Sequence, residues 1–525
     1  MRVFATLLAS LLCGAAFSSA FAPLAWWWAG LAGLALQLGL TGLTAIGVRR
    51  ALASQFAFGL GWFAPGLAWT ANSMTEHGHM PVVAAFLGVV LLALVCSAFT
   101  AAAAGAVVRT TRPGVGRLVA LTGAWTLAEW MRGPGLVHFG WLTPAEITPD
   151  LPWAGWAPLG GASAVTLALL LGAASLALLV DAALRCARAG ARSGDVQRVV
   201  GATSVLALLV GAGWVAHEHE WSTPGETVTL RLLQADLPIV DVFTRTDAGE
   251  RIASVAAQAG APWPEETVQA DRTERRLVVT PEGMVTTPVE RLPRSGVEAL
   301  GRLLDVAGAP VLFSGFRKTP AGYANTAFFG DASGVEAYVD KRRLVPFGEY
   351  VPPGFRWFVE RLGIPLSDLA EGGWDQRPNR PWGPTGPSVG VLICYENVDG
   401  AVLESWGKDV PDLLLVTSNL GWFSPYVIPQ HLAMSRLRAM EAARPLVSVN
   451  NNGLSAVLDA RGNVVETLAA SGRDARTVTI ASALGAPTPY LAYGDLPALL
   501  AAVLFLVSGF FPCRRRGAAA SDGRL

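Results

Sequence analysis

Residues 390–400 read GVLICYENVDG: an apolar strand ending in Cys394, with Tyr395 and Glu396 directly behind it. A buried cysteine is ordinarily a small hydrophobe, so its surroundings must decide whether it is more. The chain has five cysteines. Cys13 and Cys96 lie inside long apolar runs, and Cys186 and Cys513 lie at the ends of such runs. Cys394 is therefore the only cysteine of the long polar segment that surrounds it. A lone thiol in a compartment that favours disulfides is a candidate nucleophile.

Working outward, residues 217–490 are long enough for one large domain with its own core. Short apolar runs recur through it: TVTLRLLQADL, RRLVVTPEG, PVLFSGF, SVGVLICYE, PDLLLVTSNL and PLVSVNNNG, each bounded by Gly, Pro, Asn or Asp. Between them lie helical patterns, SGVEALGRLLDVAG and PQHLAMSRLRAMEAARP, the second with proline placed for a first turn. Strands alternating with helices predict a layered α/β domain.

The rest of the chain has another texture. Of 525 residues, 52% are hydrophobic and 15% charged, well below the roughly 25% charged residues of soluble domains. Apolar runs at 4–21, 24–46, 52–70, 81–108, 118–131, 158–184, 199–216 and 494–512 are candidate membrane spans. The run at 118–131 is short and needs its flanks to cross. Basic residues gather in alternate loops: Arg49 and Arg50; Arg109, Arg112 and Arg117; Arg185, Arg188, Arg192 and Arg198; and Arg514 to Arg516 in the tail. Lys and Arg are retained on the cytoplasmic side, so the expected division is a membrane domain over 1–216, an extracytoplasmic domain over 217–490, and a last span with a basic cytoplasmic tail over 491–525. Net charge is zero and no basic stripe exists, which excludes a nucleic-acid surface.

A cysteine nucleophile needs a base and donors for the oxyanion it creates. His217 and His219 sit at the membrane junction and His431 on a late helix, so a Cys-His protease is a poor reading. Other groups are better placed. LVVTPEG ends an apolar strand at Glu282, and VDKRRLVPFGEYVPP carries Lys341 and Glu349. Loops at strand ends deliver side chains to α/β active sites. Taken singly, each is a solvated loop charge.

TPEG, KRRLVPFGEYVP and LICYEN, in this order, resemble the three catalytic segments of the nitrilase superfamily. With spans before the domain and one after it, the whole chain resembles the membrane-embedded N-acyltransferases of that superfamily. VTSNLGWF and the helix after it add to the likeness. The resemblance implies an αββα sandwich beside the membrane helices, with Glu282 as general base, Lys341 as oxyanion stabiliser and Cys394 as nucleophile carrying a thioester. It gives Glu349 the task of orienting Lys341, and Tyr395 and Glu396 that of shaping the pocket. Gln234, Phe243 and Asn325 fall at substrate-binding positions, Asn325 alternatively doing no more than satisfying a turn. Phe243 replaces a common tryptophan, TPEG replaces a tryptophan-proline-glutamate run, and HFGWLTPAE matches the family's membrane-loop motif only loosely.

The implied reaction takes an acyl chain from a membrane phospholipid and passes it to the amine of a diacylglyceryl-cysteine on an apolipoprotein. It needs no cofactor or metal, and the sequence has no cluster with metal-ligand spacing. The expected setting is a bacterial inner membrane, the expected state a monomer. A membrane-anchored amidase or nitrilase using the same three residues is the alternative, though eight spans exceed what a soluble substrate requires; a silent lipoprotein-binding scaffold has no need of the triad. Trp357 and Phe358, and Trp422 and Phe423, lie in apolar stretches broken by Gly and Pro and read as lids at the outer leaflet, or equally as ordinary packing. Arg436, Arg438, Glu441 and Arg444 are spaced for ion pairs along one helix, and Asn450 to Asn452 for a turn.

Overall fold

The computed structural model describes residues 2–190, 192–239, 248–264, 275–352, 356–357 and 368–510. Each apolar run forms a helix: α1 (Arg2–Ser18), α2 (Trp27–Leu43), α3 (Val48–Gly66), α4 (Val82–Thr110), α5 (Val115–Trp130), α6 (Ala157–Ala189), α7 (Ser193–Glu218) and, after the sheets, α11 (Leu496–Ser508). Among the described residues, three segments, Val82–Thr110, Pro152–Arg188 and Ser193–Glu218, are long and apolar enough to cross a membrane unaided, whereas Val3–Ser18, Trp27–Leu43 and Leu496–Ser508 are apolar but shorter. At 1.5 Å per residue, a 17-residue helix covers about 26 Å of a core about 30 Å thick, so the short ones need their flanks.

Lipid offers no hydrophobic force between helices, so small residues and close backbones must hold them together. A Cβ on Gly14 of α1 would stand 1.9 Å from the Phe58 carbonyl oxygen of α3, and one on Gly123 of α5 would stand 2.1 Å from that of Ala502 in α11. Buried polar groups pair across the same contacts. Gln37 of α2 donates to Ser54 and Gln55 of α3, and Ser54 bonds Ser10 of α1.

The second half is a sandwich of two mixed sheets. β1 (Thr223–Gln234), β2 (Arg275–Val279), β3 (Val311–Thr319), β4 (Gly322–Asp331) and β5 (Gly334–Asp340) join β11 (Asp474–Leu484) in the order β11-β1-β2-β3-β4-β5. β6 (Val389–Ile393), β7 (Leu413–Ser418), β8 (Leu446–Asn450), β9 (Ala456–Leu458) and β10 (Val464–Thr467) form the other sheet, ordered β10-β9-β8-β7-β6. The central strands β1-β2-β3 and β6-β7-β8 are parallel and the outer ones antiparallel. Residues two apart share a strand face. Leu230 and Leu232, Leu277 and Val279, Val391 and Ile393, and Leu413 and Leu415 thus fill the space between the sheets. Opposite faces of the same strands carry Val278 toward α8 (Ala248–Ala259) and α9 (Arg294–Val306), and Leu392 and Val416 toward α10 (Ile428–Ala442). The layers run helix, sheet, sheet, helix, the αββα order expected.

α10 also touches the membrane half. Gln430 donates to the Ala22 carbonyl at 3.0 Å and accepts the Trp141 indole N–H at 2.7 Å. Arg436 reaches Asp150 at 2.5 Å, and Glu441 accepts the Ala162 N–H at 3.0 Å. Of the ion pairs its spacing suggested, Arg438–Glu441 forms at 2.6 Å, while Arg444 turns to backbone carbonyls.

Candidate active site

Cys394 follows the last residue of β6 and opens a short 3-10 turn, Cys394–Asn397. Its φ is +52°, the left-handed region that costs a residue with a Cβ on the order of 1 kcal/mol. Strain of this kind persists only where the surroundings over-determine it. Glu396 supplies one restraint. One carboxylate oxygen accepts the Ile393 N–H at 2.7 Å, and the other accepts those of Arg342 at 2.6 Å and Arg343 at 3.3 Å. Glu396 thereby straps the end of β6 to the loop that starts at Lys341. Buried His431 supplies another, through a hydrogen bond with the Cys394 backbone. Burial lowers its imidazole to about 4, so it is neutral at pH 7 and acts on the backbone.

Glu282 sits in the turn after β2, and that turn is pinned from three sides. Ser314 donates to the Pro281 carbonyl at 2.9 Å, Arg251 to that of Gly283 at 3.0 Å and Thr417 to that of Thr280 at 3.1 Å. Lys341 follows β5 directly, its N–H bonded to the Asn325 carbonyl of β4 at 2.8 Å. These strand ends converge. The fully buried Lys341 Nζ lies 2.8 Å from Glu349 Oε1 and 3.4 Å from Glu282 Oε1. Asn325 Nδ2 donates to the same two oxygens, at 3.2 and 2.7 Å. The other oxygen of Glu349 accepts the Val345 N–H at 2.8 Å, and that of Glu282 the Asn419 N–H at 3.0 Å. The Cys394 thiol hydrogen-bonds Glu282.

Burial by itself would lower the Lys341 ammonium. The carboxylates of Glu349 and Glu282 outweigh it and raise Lys341 well above the ordinary lysine value. Burial, and then the charge of Glu282, push the Cys394 thiol far above the ordinary range, and Lys341 offsets this only in part. The resting site is thus a neutral thiol against a carboxylate, with a fixed cation beside both. Such a set can accept a proton from sulfur and stabilise an oxyanion.

The residues singled out in the sequence divide. Glu282, Asn325, Lys341, Glu349 and Cys394 come together, with Glu396 bracing them. Tyr395 points away: its phenol donates to the His138 carbonyl in the loop after α5, at 2.9 Å. Gln234 is fully buried, and its amide bonds Ala469, Gly472 and Ser455, so no described hydrogen bond joins it to the cluster. Phe423 packs against Trp69 and Trp141, with ring centroids at 4.9 and 6.2 Å; the Trp422 ring meets His77, and its carbonyl accepts from Ser73. That loop docks on the membrane half. Trp357 is exposed, while Phe243 and Phe358 lie outside the described residues. Asn450 to Asn452 do more than turn the chain, because Asn451 bonds Leu237 and Asn419. Sequence reading did not single out Asn419, although it lies in the VTSNLGWF stretch directly after β7, and it missed the grip of His431 on the Cys394 turn. Among the described residues no group of three or more His, Cys, Asp or Glu could hold a metal ion.

A family model described as carbon-nitrogen hydrolase matches residues 253–490, the sandwich after β1 with its cysteine, lysine and glutamates. Fold and site define a nitrilase-superfamily catalytic domain. A second family model, the apolipoprotein N-acyltransferase N-terminal domain, matches residues 13–175. A protein from Ralstonia nicotianae with the name apolipoprotein N-acyltransferase is 34% identical, covering 98% of this chain and 95% of its own. One of the same name from Bordetella bronchiseptica is 34% identical over 96% of each, and one from Nitrosomonas europaea 32% over 88% of each. The chain belongs to the apolipoprotein N-acyltransferase family.

Proposed function

We propose that this protein moves a fatty acyl chain from a membrane phospholipid to the α-amine of diacylglyceryl-cysteine on an apolipoprotein, through a thioester on Cys394. One observation carries the reading. Cys394, Glu282, Lys341 and Glu349 form a single buried cluster in a chain whose relatives match both its halves.

In the first step Sγ attacks the ester carbonyl while Glu282 takes the thiol proton, and Lys341 Nζ stabilises the tetrahedral oxyanion. Collapse breaks the ester C–O bond; the leaving alkoxide takes the proton from Glu282 and departs as lysophospholipid. In the second step the amine attacks the thioester and gives a proton to Glu282. The C–S bond breaks, the amide forms, and Glu282 returns the proton to sulfur. Lys341 stays protonated throughout, oriented by Glu349. All four groups come from one chain, so a monomer suffices.

The same reading takes residues 1–216 and 491–525 as the membrane part and 217–490 as the catalytic domain, on the periplasmic side of a bacterial inner membrane. The alternating basic loops support that orientation. Trp357 and the docked Trp422–Phe423 loop would flank the path of the lipid.

Intact-mass measurement of the purified full chain after incubation with phospholipid tests it. Wild type should gain one acyl mass and Cys394→Ala none. The adduct should discharge to a diacylglyceryl-cysteine peptide. Discharge to water at the same rate would instead make the protein a hydrolase.

A further inference from the structure

HFGW, residues 138–141, matched its family motif only loosely, yet the structure places it against the nucleophile's turn. Gly140 lies so close to that turn that a Cβ would stand 3.0 Å from Val398 Cγ1. Two residues earlier, the His138 carbonyl accepts the Tyr395 phenol, and Tyr395 is bonded covalently to Cys394. One residue later, Trp141 donates its indole N–H to Gln430 of α10. This loop is thus a piece of the membrane half that touches the catalytic turn directly.

Its shape is held by a charge inside the helical bundle. Arg132, just past α5, is completely buried. Nη1 donates to the carbonyls of Phe139 at 2.6 Å and Trp141 at 2.9 Å. Nε and Nη2 are taken by Glu129 at 3.2 and 2.6 Å. The guanidinium lies over the Phe63 ring at 5.0 Å and the Trp62 ring at 6.0 Å. A planar fork that ties two carbonyls and one carboxylate at once fixes direction as well as distance, which a lysine cannot copy.

We propose that Arg132 is a positioning residue for Cys394: it fixes the His138–Trp141 loop, and the loop's His138 carbonyl holds Tyr395 and thereby the strained turn. Formation of the thioester then depends on the membrane half for geometry as well as for lipid. The proposal rests on Cys394 being the group that is acylated.

The test uses the full chain in nanodiscs with phospholipid, following single-turnover acylation by intact mass for Arg132→Lys, Tyr395→Phe and the double variant. Each single change should slow acylation about tenfold, the worth of one buried hydrogen bond. Half-saturation by phospholipid should not move. The double variant should be no slower than the slower single, within about threefold, because both act through one link. Effects that multiply to about a hundredfold, or either single acylating at the wild-type rate, overturn the proposal. If Arg132→Lys does not fold, Tyr395→Phe decides alone by the same criterion. Alkylation of Cys394 by iodoacetamide, resolved by peptide mass, is read in parallel. Should wild type gain no acyl mass, the thioester reading fails; the link then stands if the singles still alter the rate and pH profile of alkylation non-additively, and falls if they do not.

Discussion

Two buried cations, one in each half of the molecule, show how differently the same burial can be used. Lys341 has three N–H donors; two go to Glu349 and Glu282, and no described hydrogen bond claims the third. Arg132 has five, and four are taken by Glu129, Phe139 and Trp141. Lysine offers a compact point charge, arginine a rigid fork. The sandwich keeps a cation with capacity for one more acceptor, where an oxyanion can form. The helical bundle keeps one whose capacity is nearly spent on the shape of a loop.

That contrast predicts opposite failures. Lys341→Met should lower acyl transfer by about 10²–10³-fold, the scale of losing one oxyanion donor, with the thermal midpoint little changed because Asn325 and the Val345 and Asn419 N–H groups still bond both carboxyl groups. A variant that unfolds before it loses rate would place Lys341 with Arg132 as a framework charge. Glu129→Gln should do the reverse. It removes the counter-charge of a fully buried guanidinium, a change that costs roughly 3–5 kcal/mol, so the midpoint should fall steeply and the rate of the surviving folded protein less. An unchanged midpoint would end the comparison.

The two clusters also differed in how far the sequence disclosed them. Cys394 and Glu282 were legible because each closes a strand whose apolar run is short, continuous and bounded by breakers, whereas Lys341 was legible through the KRRLVPFGEYVP segment and not through its strand. β6 and β7, buried on both faces, give that pattern. The hairpin β4–β5 and strands β9 to β11 were not read as strands. YANTAFFGD and GVEAYVD mix small, polar and aromatic residues around glycine, and β10 exposes most of its residues, so the antiparallel members carry a weaker signal. Asn325, which bridges both carboxylates, sits in that unread hairpin. The Tyr395–His138 bond joins residues 257 apart, and no local period can announce such a contact. Eight helices were visible as composition, but which of them reach the site was not.

The smallest effect concerns the neutral side chain behind the Cys394 turn, and it extends the comparison to a group that must stay uncharged. His431 titrates near 6.5 when unfolded and near 4 when folded, because burial disfavours the imidazolium. A depressed folded value means that the stability it confers is fully present above about pH 6.5 and declines as pH falls toward 4, since the unfolded chain binds the proton first. Between pH 7 and pH 5 the loss should be about 2 kcal/mol. His431→Gln keeps a hydrogen-bonding group for the Cys394 backbone and cannot titrate. Its midpoint should therefore fall less than wild type's over that interval, and the two pH profiles should draw closer with acidification even if the variant starts lower. Parallel profiles would mean that His431 is already solvated or charged in the native state. The grip on the strained cysteine would then come from Glu396 and Tyr395 alone, and so from the Lys341 loop on one side and the Arg132 loop on the other.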